Sequence, residues 1–186
     1  TSSRLGRWAL HPTHRRTGIF FCFCCFFYQL RYIHFILRPA AWKLHCLYRF
    51  YCILPQYISP YLLWNEYRRQ QAEWLKGVVN SDEFRAAPVR IVLMHMIPGK
   101  EDSWYGEQQI RRLFVPELAG KDIDLMLCGH YHRYHWIDDG SRGVDFPILV
   151  NSNNDCLRVS ADAKGIDLKV VNTAGAVIKQ HRIDKK

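Results

Sequence analysis

Three histidines fall within six residues of the stretch DLMLCGHYHRYHW, which spans residues 124–136. Two of them, His130 and His132, follow an apolar run that ends in Gly129, and a further histidine, His95, ends the apolar run VRIVLMH. Neutral imidazole is a ligand for zinc, iron, manganese or nickel. A single histidine at a strand end is usually a polar cap, whereas a G-H-x-H cluster following a second strand favours a metal site. The spacing therefore predicts such a site.

Both apolar runs have the pattern of buried β-strands, which are apolar on two faces. Residues 89–129 are predicted to form a strand, a loop, a helix and a second strand, the unit that builds a parallel sheet through a right-handed crossover. Ligands of such sheets bind at the carboxyl ends of the strands. Neighbouring strands would bring His95 close to His130. An extended segment would direct the rings of His130 and His132 to the same side, and Gly129 would allow the turn.

Other helices and strands can be predicted from the spacing of their apolar residues. The amphipathic helix YRRQQAEWLKGVV ends near Asn80, and the helix in SWYGEQQIRRLFVPEL is limited or kinked by Pro116. The last part of the chain predicts short strands separated by turns, with alternating apolar residues typical of a half-exposed antiparallel meander. These strands are FPILVNS, CLRVSAD, GIDLKVVN and AVIKQHRID. The predicted fold class is therefore α/β.

The first third of the chain has a different composition. Residues 1–66 hold eight of the 26 basic residues and one acid, Glu66, so most of the formal net charge of +9 lies there. Five of the seven cysteines are also in this part, in a spacing that fits neither a disulfide framework nor a zinc knuckle. No sustained helical or strand period is present. We therefore divide the chain into an atypical basic, aromatic- and Cys-rich segment, 1–64, and a regular domain, 65–186.

Three interpretations of residues 1–64 remain open. The composition resembles translation of non-coding or out-of-frame DNA, so the segment could be non-native. Alternatively, it is membrane-associated or signal-like, with weak membrane contact through residues 18–37, although its uninterrupted apolar run of eleven residues is shorter than the roughly 20 of a spanning helix. The third interpretation is a genuine basic domain. Basic and aromatic residues are not organised on one surface, so no specific nucleic-acid partner is expected.

The histidine motifs are similar to those of a known family. His95 in VLMHMIP and CGHYHRY about 33 residues later resemble the last two metal-binding motifs of the calcineurin-like metallophosphoesterases, and GHYHRYH is similar to their purple acid phosphatase branch. The segment QQAEWLKGVV resembles the helix that these enzymes place before the first of the two motifs. The resemblance covers residues 65 to about 183. It implies the C-terminal half of a four-layer α/β/β/α sandwich.

The resemblance also implies a metal-dependent hydrolase of phosphomonoesters or phosphodiesters. His95 and His130 would bind one metal ion and His132 the other. Family members hold two divalent ions (Mn, Fe or Zn), bridged by a hydroxide that attacks phosphorus. The upstream family motifs D-x-H, G-D and G-N-H-[DE], which supply the remaining ligands and a catalytic histidine, are absent from this sequence. We therefore expect one bound ion or none, and little or no activity.

Three further residues are candidates for contact with a phosphate-ester substrate. They are His135, Asn151 and Asn153. Simple exposure explains the first equally well, and turn formation explains the two asparagines. The sequence offers no catalytic residue. The alternative functions are a non-catalytic metal-binding remnant and a membrane-associated basic module.

Overall fold

A computed structural model of the chain describes residues 18–24, 33–37, 43–47, 60–162 and 164–185, with side chains from residue 65 onward. Three helices lie in these ranges: α1 (Pro60–Val79), α2 (Asp82–Ala86) and α3 (Tyr105–Leu118). Ten strands lie there as well: β1 (Gly18–Cys24), β2 (Ile33–Leu37), β3 (Lys43–Leu47), β4 (Val89–Met94), β5 (Leu125–Cys128), β6 (His135–Ile137), β7 (Ile148–Val150), β8 (Cys156–Asp162), β9 (Gly165–Val171) and β10 (Val177–Asp184).

Six strands form sheet A, in the order β3-β1-β4-β5-β7-β6. All neighbours run parallel except β6, which is antiparallel to β7. Ile91 of β4 pairs with Leu125 of β5, and α3 connects these two strands. A parallel pair needs such a crossover, because a short turn can join only antiparallel strands. The predicted strand, helix and strand unit is therefore confirmed.

Four strands form sheet B, in the order β10-β9-β8-β2. The predicted antiparallel meander is confirmed for β8, β9 and β10, and β2 runs parallel to β8. It is wrong for the segment FPILVNS, because β7 in that segment is a buried strand of sheet A that runs parallel to β5. Val159 and Leu168 are cross-strand partners and are both buried, whereas the paired Arg158 and Lys169 are exposed. This alternation leaves one face of the meander in the core and the other in solvent.

Two apolar clusters define the layers. The first joins the three helices to one face of sheet A, and Leu75, Phe114 and Met126 are among its fully buried members. The second joins sheets A and B, and its members include Leu93 and Leu127 of sheet A and Leu157 of sheet B. The described residues thus form a mixed α/β fold of helices, sheet A and sheet B in successive layers.

The outer face of sheet B is charged over β8–β10. Arg182 lies 2.8 Å from Asp167 and 2.9 Å from Asp184, and 3.9 Å from Asp162. Arg158 stands exposed on the same face. Such partly exposed pairs add little stability. Their position shows that this part of the face meets water and not an apolar layer.

Helix boundaries differ from the predictions in two places. Helix α1 begins at Pro60, before the predicted segment and across the proposed division at residue 64, with proline in the favourable first helical position. Helix α2 was not predicted. It is a single turn that begins because the Ser81 hydroxyl accepts a hydrogen bond from the Phe84 amide at 3.1 Å. Helix α3 ends two residues after Pro116, as expected.

Four strands were also missed. β6 has three residues, which is too few for a period to be recognised, and β1, β2 and β3 lie where no sustained period was found. β1 pairs with β4, and β2 pairs with β8, so strands from the first third join both sheets. Residues 1–17, 25–32, 38–42 and 48–59 lie outside the described ranges.

The three interpretations of residues 1–64 and the membrane contact through residues 18–37 stay predictions. Within the described part of the chain, no helix is both long and apolar enough to cross a bilayer.

Candidate metal centre

His95 and His130 are in contact at one end of sheet A. His95 directly follows the buried strand β4, and His130 follows the buried strand β5 after one residue, Gly129. The amide of Gly129 donates to the His95 carbonyl at 3.1 Å. Nε2 of His95 lies 3.2 Å from Nδ1 of His130, and the two rings are nearly perpendicular with centroids 5.1 Å apart. The carboxyl ends of two adjacent strands therefore bring two imidazole nitrogens together, as the strand assignment predicted.

The backbone at His130 is in an unusual conformation. The amide of Tyr131 donates to the Gly129 carbonyl at 2.8 Å, which makes His130 the central residue of a γ-turn, and its φ is +67°. The form of γ-turn with positive φ is rare and strained, and strain of this kind clusters at functional sites. The expected extended segment is therefore wrong, because the chain turns sharply after β5. The turn uses the left-handed region at His130 and not at Gly129.

His132 lies on the exposed side of this turn, also in the left-handed region with φ +57°. Its charge acts on His95. Burial is the largest cause that lowers the pKa of His95, followed by the charges of His130 and His132. A lowered pKa keeps the imidazole neutral at neutral pH, with a lone pair available for a cation.

A buried carboxylate, Glu107, stands beside the pair and was missed by the sequence analysis. It belongs to the first turn of α3 and is 4% exposed. Its Oε2 accepts a hydrogen bond from the Tyr131 hydroxyl at 3.1 Å, and its Oε1 lies 3.9 Å from Nε2 of His130. Burial, and then the charge of Glu107, raise the pKa of Tyr131, so the phenol stays protonated as a donor.

The sequence did carry a signal for Glu107. This residue precedes Ile110 by three positions and Phe114 by seven, so it lies on the apolar stripe of α3 that faces the core. An acid in register with a buried stripe is uncommon, since Glu is almost never fully buried without a partner.

Trp104 covers one side of the pair. Its ring stacks on His130 with a centroid distance of 5.7 Å and an angle of 20°, while the residue stays 61% exposed. Gly106 makes this position available, because a Cβ there would lie 2.5 Å from the Trp104 ring. An exposed aromatic ring therefore forms the rim of the site.

The remaining candidates lie at different distances from the pair. His135 begins β6, and its ring packs edge-on against Tyr131 at 5.6 Å, so it is joined to the site through that residue. Asn151 follows β7, and its amide donates to the Cys128 carbonyl at 2.9 Å. Its side-chain nitrogen donates to the Asp155 carbonyl, whereas its buried Oδ1 has no hydrogen-bond partner among the described residues. Asn153 is exposed in the same turn.

The spacing of the two ring nitrogens suits one shared cation. Two imidazole nitrogens that bind one ion at 2.0–2.1 Å are about 2.9 to 3.4 Å apart in octahedral or tetrahedral geometry. The observed 3.2 Å lies within this interval, although a hydrogen bond between two neutral rings has the same length. Within the described ranges, no group of three or more His, Cys, Asp or Glu side chains is arranged to hold a metal ion. The spacing therefore suits two candidate ligands of one metal ion, His95 and His130.

No protein-family model matches the chain, and no curated protein matches it. Among solved structures, the chain is similar to one described as "GAP50 the anchor in the inner membrane complex of Plasmodium", with 18% sequence identity and a TM-score of 0.41. The match covers 66% of this chain and 42% of that one, so the chain spans less than half of the length of that structure.

Proposed function

We propose that residues 65–186 are part of a metal-dependent phosphoesterase domain of the calcineurin-like type, in its purple acid phosphatase-like branch. Its substrates would be phosphomonoesters or phosphodiesters. The motifs around His95 and His130 support this proposal. The observation that carries it is the 3.2 Å separation of their ring nitrogens at the ends of adjacent parallel strands.

The proposed roles follow from the positions of the side chains. His95 and His130 would hold one ion through Nε2 and Nδ1, and His132 would serve the second ion of the family's pair. A bound Mn, Fe or Zn ion would supply Lewis-acid activation of the phosphate ester and of water. Burial keeps His95 neutral, so no proton has to leave it before it binds an ion. His135, Asn151 and Asn153 remain proposed contacts for the substrate.

The proposal includes the four-layer α/β/β/α sandwich of the family. Helices, sheet A and sheet B would be three of its layers. The second helical layer would cover the outer face of sheet B. We expect it on the β2 side of that sheet, because the same face carries ion-paired Arg182 and exposed Arg158 over β8–β10. A helix packed there would bury charges at a cost of several kcal/mol each.

A non-catalytic metal-binding module is the second candidate. The nitrogens that meet in the described residues belong to imidazoles, and the nearby carboxylate Glu107 approaches His130 at its other nitrogen, Nε2. Two dications held close together need charged oxygen ligands. This donor set favours one ion, no more than three protein ligands and little hydrolysis.

Metal analysis combined with an activity assay separates these candidates. The full 186-residue chain would be equilibrated with Zn²⁺ or Mn²⁺, desalted, analysed for bound metal and assayed with an aryl phosphate. His130→Ala should lose the metal, whereas His135→Ala, which alters a neighbouring ring of the same type, should keep it.

Each result has a distinct meaning. Metal binding that depends on His130, together with weak turnover, supports the phosphoesterase proposal. Metal binding without any turnover favours the non-catalytic module. A wild-type chain without metal contradicts both candidates, and rapid turnover abolished by His130→Ala contradicts the expected low activity.

A further inference from the structure

The carboxylate of Glu107 is a buried charge that lies beside the His130 ring. Glu107 and Asn151 are the buried polar side chains of the described residues. Tyr131 donates to Oε2 of Glu107, while Oε1 faces Nε2 of His130 at 3.9 Å. Burying a carboxylate is costly unless each oxygen meets a donor or a positive charge. The ring of His130, 3.9 Å away, is positioned to supply a positive charge or an N–H dipole to Oε1.

The two nitrogens of the His130 ring face different partners. Nδ1 lies 3.2 Å from Nε2 of His95, and Nε2 lies 3.9 Å from Oε1 of Glu107. A neutral imidazole with its proton on Nε2 has a free lone pair on Nδ1. A carboxylate beside Nε2 favours this tautomer, because the N–H dipole then points at the negative charge.

We propose that Glu107 is a positioning residue, which holds His130 through Nε2 so that the lone pair on Nδ1 is presented toward His95. Histidines that bind metals generally donate the other ring N–H to a carboxylate, a carbonyl or water, which fixes the tautomer and the ring orientation. Tyr131 completes the arrangement by holding the second oxygen of Glu107. The result is a series of side-chain contacts that runs from the Tyr131 hydroxyl through Glu107 and His130 to His95.

Glu107 is itself fixed by the loop that follows His95. The amide of Gly99 donates to the Glu107 carbonyl at 2.9 Å, and a Cβ on Gly99 would lie 2.9 Å from the Glu107 Cβ. Arg111 of the same helix donates to the Gly99 carbonyl at 3.0 Å. The segment after β4 and the first turn of α3 therefore hold the carboxylate in place against the ring that follows β5.

A general helix effect does not account for this carboxylate. An acid in the first turn of a helix is stabilised by the helix dipole whether or not it is buried. Burial adds a cost that the dipole alone does not offset, since surface charge–dipole interactions contribute only about 0.3 to 1 kcal/mol. The hydrogen bond from Tyr131 and the nearby His130 ring supply a reason for the burial.

The first test uses the metal-free chain and does not depend on the proposed function. Nitrogen-15 NMR of the histidine rings, at a pH where His130 is neutral, reports which nitrogen carries the proton. The wild type should show His130 with its proton on Nε2. Glu107→Leu, which has similar volume and no charge, should shift His130 toward the other tautomer or a mixture, and the isosteric Glu107→Gln provides a variant with minimal repacking.

The second test measures Zn²⁺ affinity and rests on the proposed metal site. Glu107→Gln and Glu107→Leu should weaken binding by about 10- to 100-fold, the usual effect of removing such a partner. Glu117→Gln, on the last part of the same helix, is the matched control and should bind as the wild type does.

The two tests separate the two proposals. An unchanged tautomer in Glu107→Leu overturns the positioning role, whatever the metal result. Zn²⁺ affinity within twofold of the wild type in both Glu107 variants also overturns it. A wild-type chain that binds no Zn²⁺ but shows the predicted tautomer shift contradicts the proposed function and leaves the positioning role supported.

Discussion

Nε2 of His95 lies 3.2 Å from Nδ1 of His130, although the two residues are 35 positions apart in the sequence. Parallel pairing of β4 with β5 brings the strand ends together, and the γ-turn at His130 directs its ring toward His95.

Because the turn holds position 130 at a positive φ, a variant with glycine there should be more stable than one with alanine, the reverse of the usual order. His130 has φ +67°, a region that costs a residue with a Cβ about 1–2 kcal/mol and costs glycine little. We therefore expect His130→Gly to be more stable than His130→Ala by about 1 kcal/mol in urea unfolding. The exposed Asp102, whose φ is not positive, is the control: Asp102→Gly should be less stable than Asp102→Ala. Equal stability of the two His130 variants would contradict the turn.

Two glycines near the site should respond differently to alanine. In Gly99→Ala the new Cβ would lie 2.9 Å from backbone and side-chain atoms of Glu107, which cannot move easily, so we expect a loss of about 1–3 kcal/mol. In Gly106→Ala the three atoms nearest to the Cβ belong to the Trp104 ring, which is exposed and can swing away. This change should leave the free energy of unfolding nearly unaltered, because alanine favours the helix by up to about 1 kcal/mol.

Spectroscopy distinguishes the two glycine variants further. Gly106→Ala should alter the fluorescence contributed by Trp104, obtained as the difference from a Trp104→Phe background. Gly77, which has open space around it in α1, provides the control, and Gly77→Ala should stabilise the chain without changing this signal. An intact Trp104 signal in Gly106→Ala would show that the ring does not depend on the glycine.

His95 predicts a pH-dependent stability in the metal-free chain. Its pKa in the folded state is below the ordinary 6.5, chiefly because of burial. The unfolded chain therefore binds more protons than the folded chain just below that pH, and stability falls as the pH is lowered through this interval. His95→Gln cannot take up this proton, so its stability should fall less between about pH 7 and pH 5. If the stability of the wild type and of His95→Gln fell equally as the pH was lowered, the lowered pKa of His95 would be contradicted.

The C-terminus is tied to sheet A by an ion pair that salt should weaken. Nζ of Lys185 lies 2.7 and 2.9 Å from the two carboxylate oxygens of Asp124, which also accepts a hydrogen bond from the Arg90 amide at 2.8 Å. Because the pair is only partly buried, we expect Lys185→Ala to cost about 1 kcal/mol, and less at high salt. Lys169→Ala, on the exposed face of β9, should have little effect in the same denaturant titration.

The candidate site was predictable from the sequence only in part. The apolar runs before His95 and His130, together with an amphipathic helix between them, were enough to predict two adjacent parallel strands with histidines at one end. The period of an apolar pattern is local, and it survives whatever the rest of the chain does. The backbone of His130 was not predictable, because glycine was the expected residue for the left-handed position of the turn and the histidine occupies it.

The sequence alone determined the α/β class, the strand, helix and strand unit, the C-terminal meander and the clustering of histidines at strand ends. Tertiary structure decided the order of the strands in each sheet, the short strand β6, the approach of two imidazole nitrogens and the burial of Glu107 beside them. These features depend on contacts between segments that are distant in the sequence. No local pattern specifies which side of a ring meets which neighbour, because that is fixed only when the layers pack together.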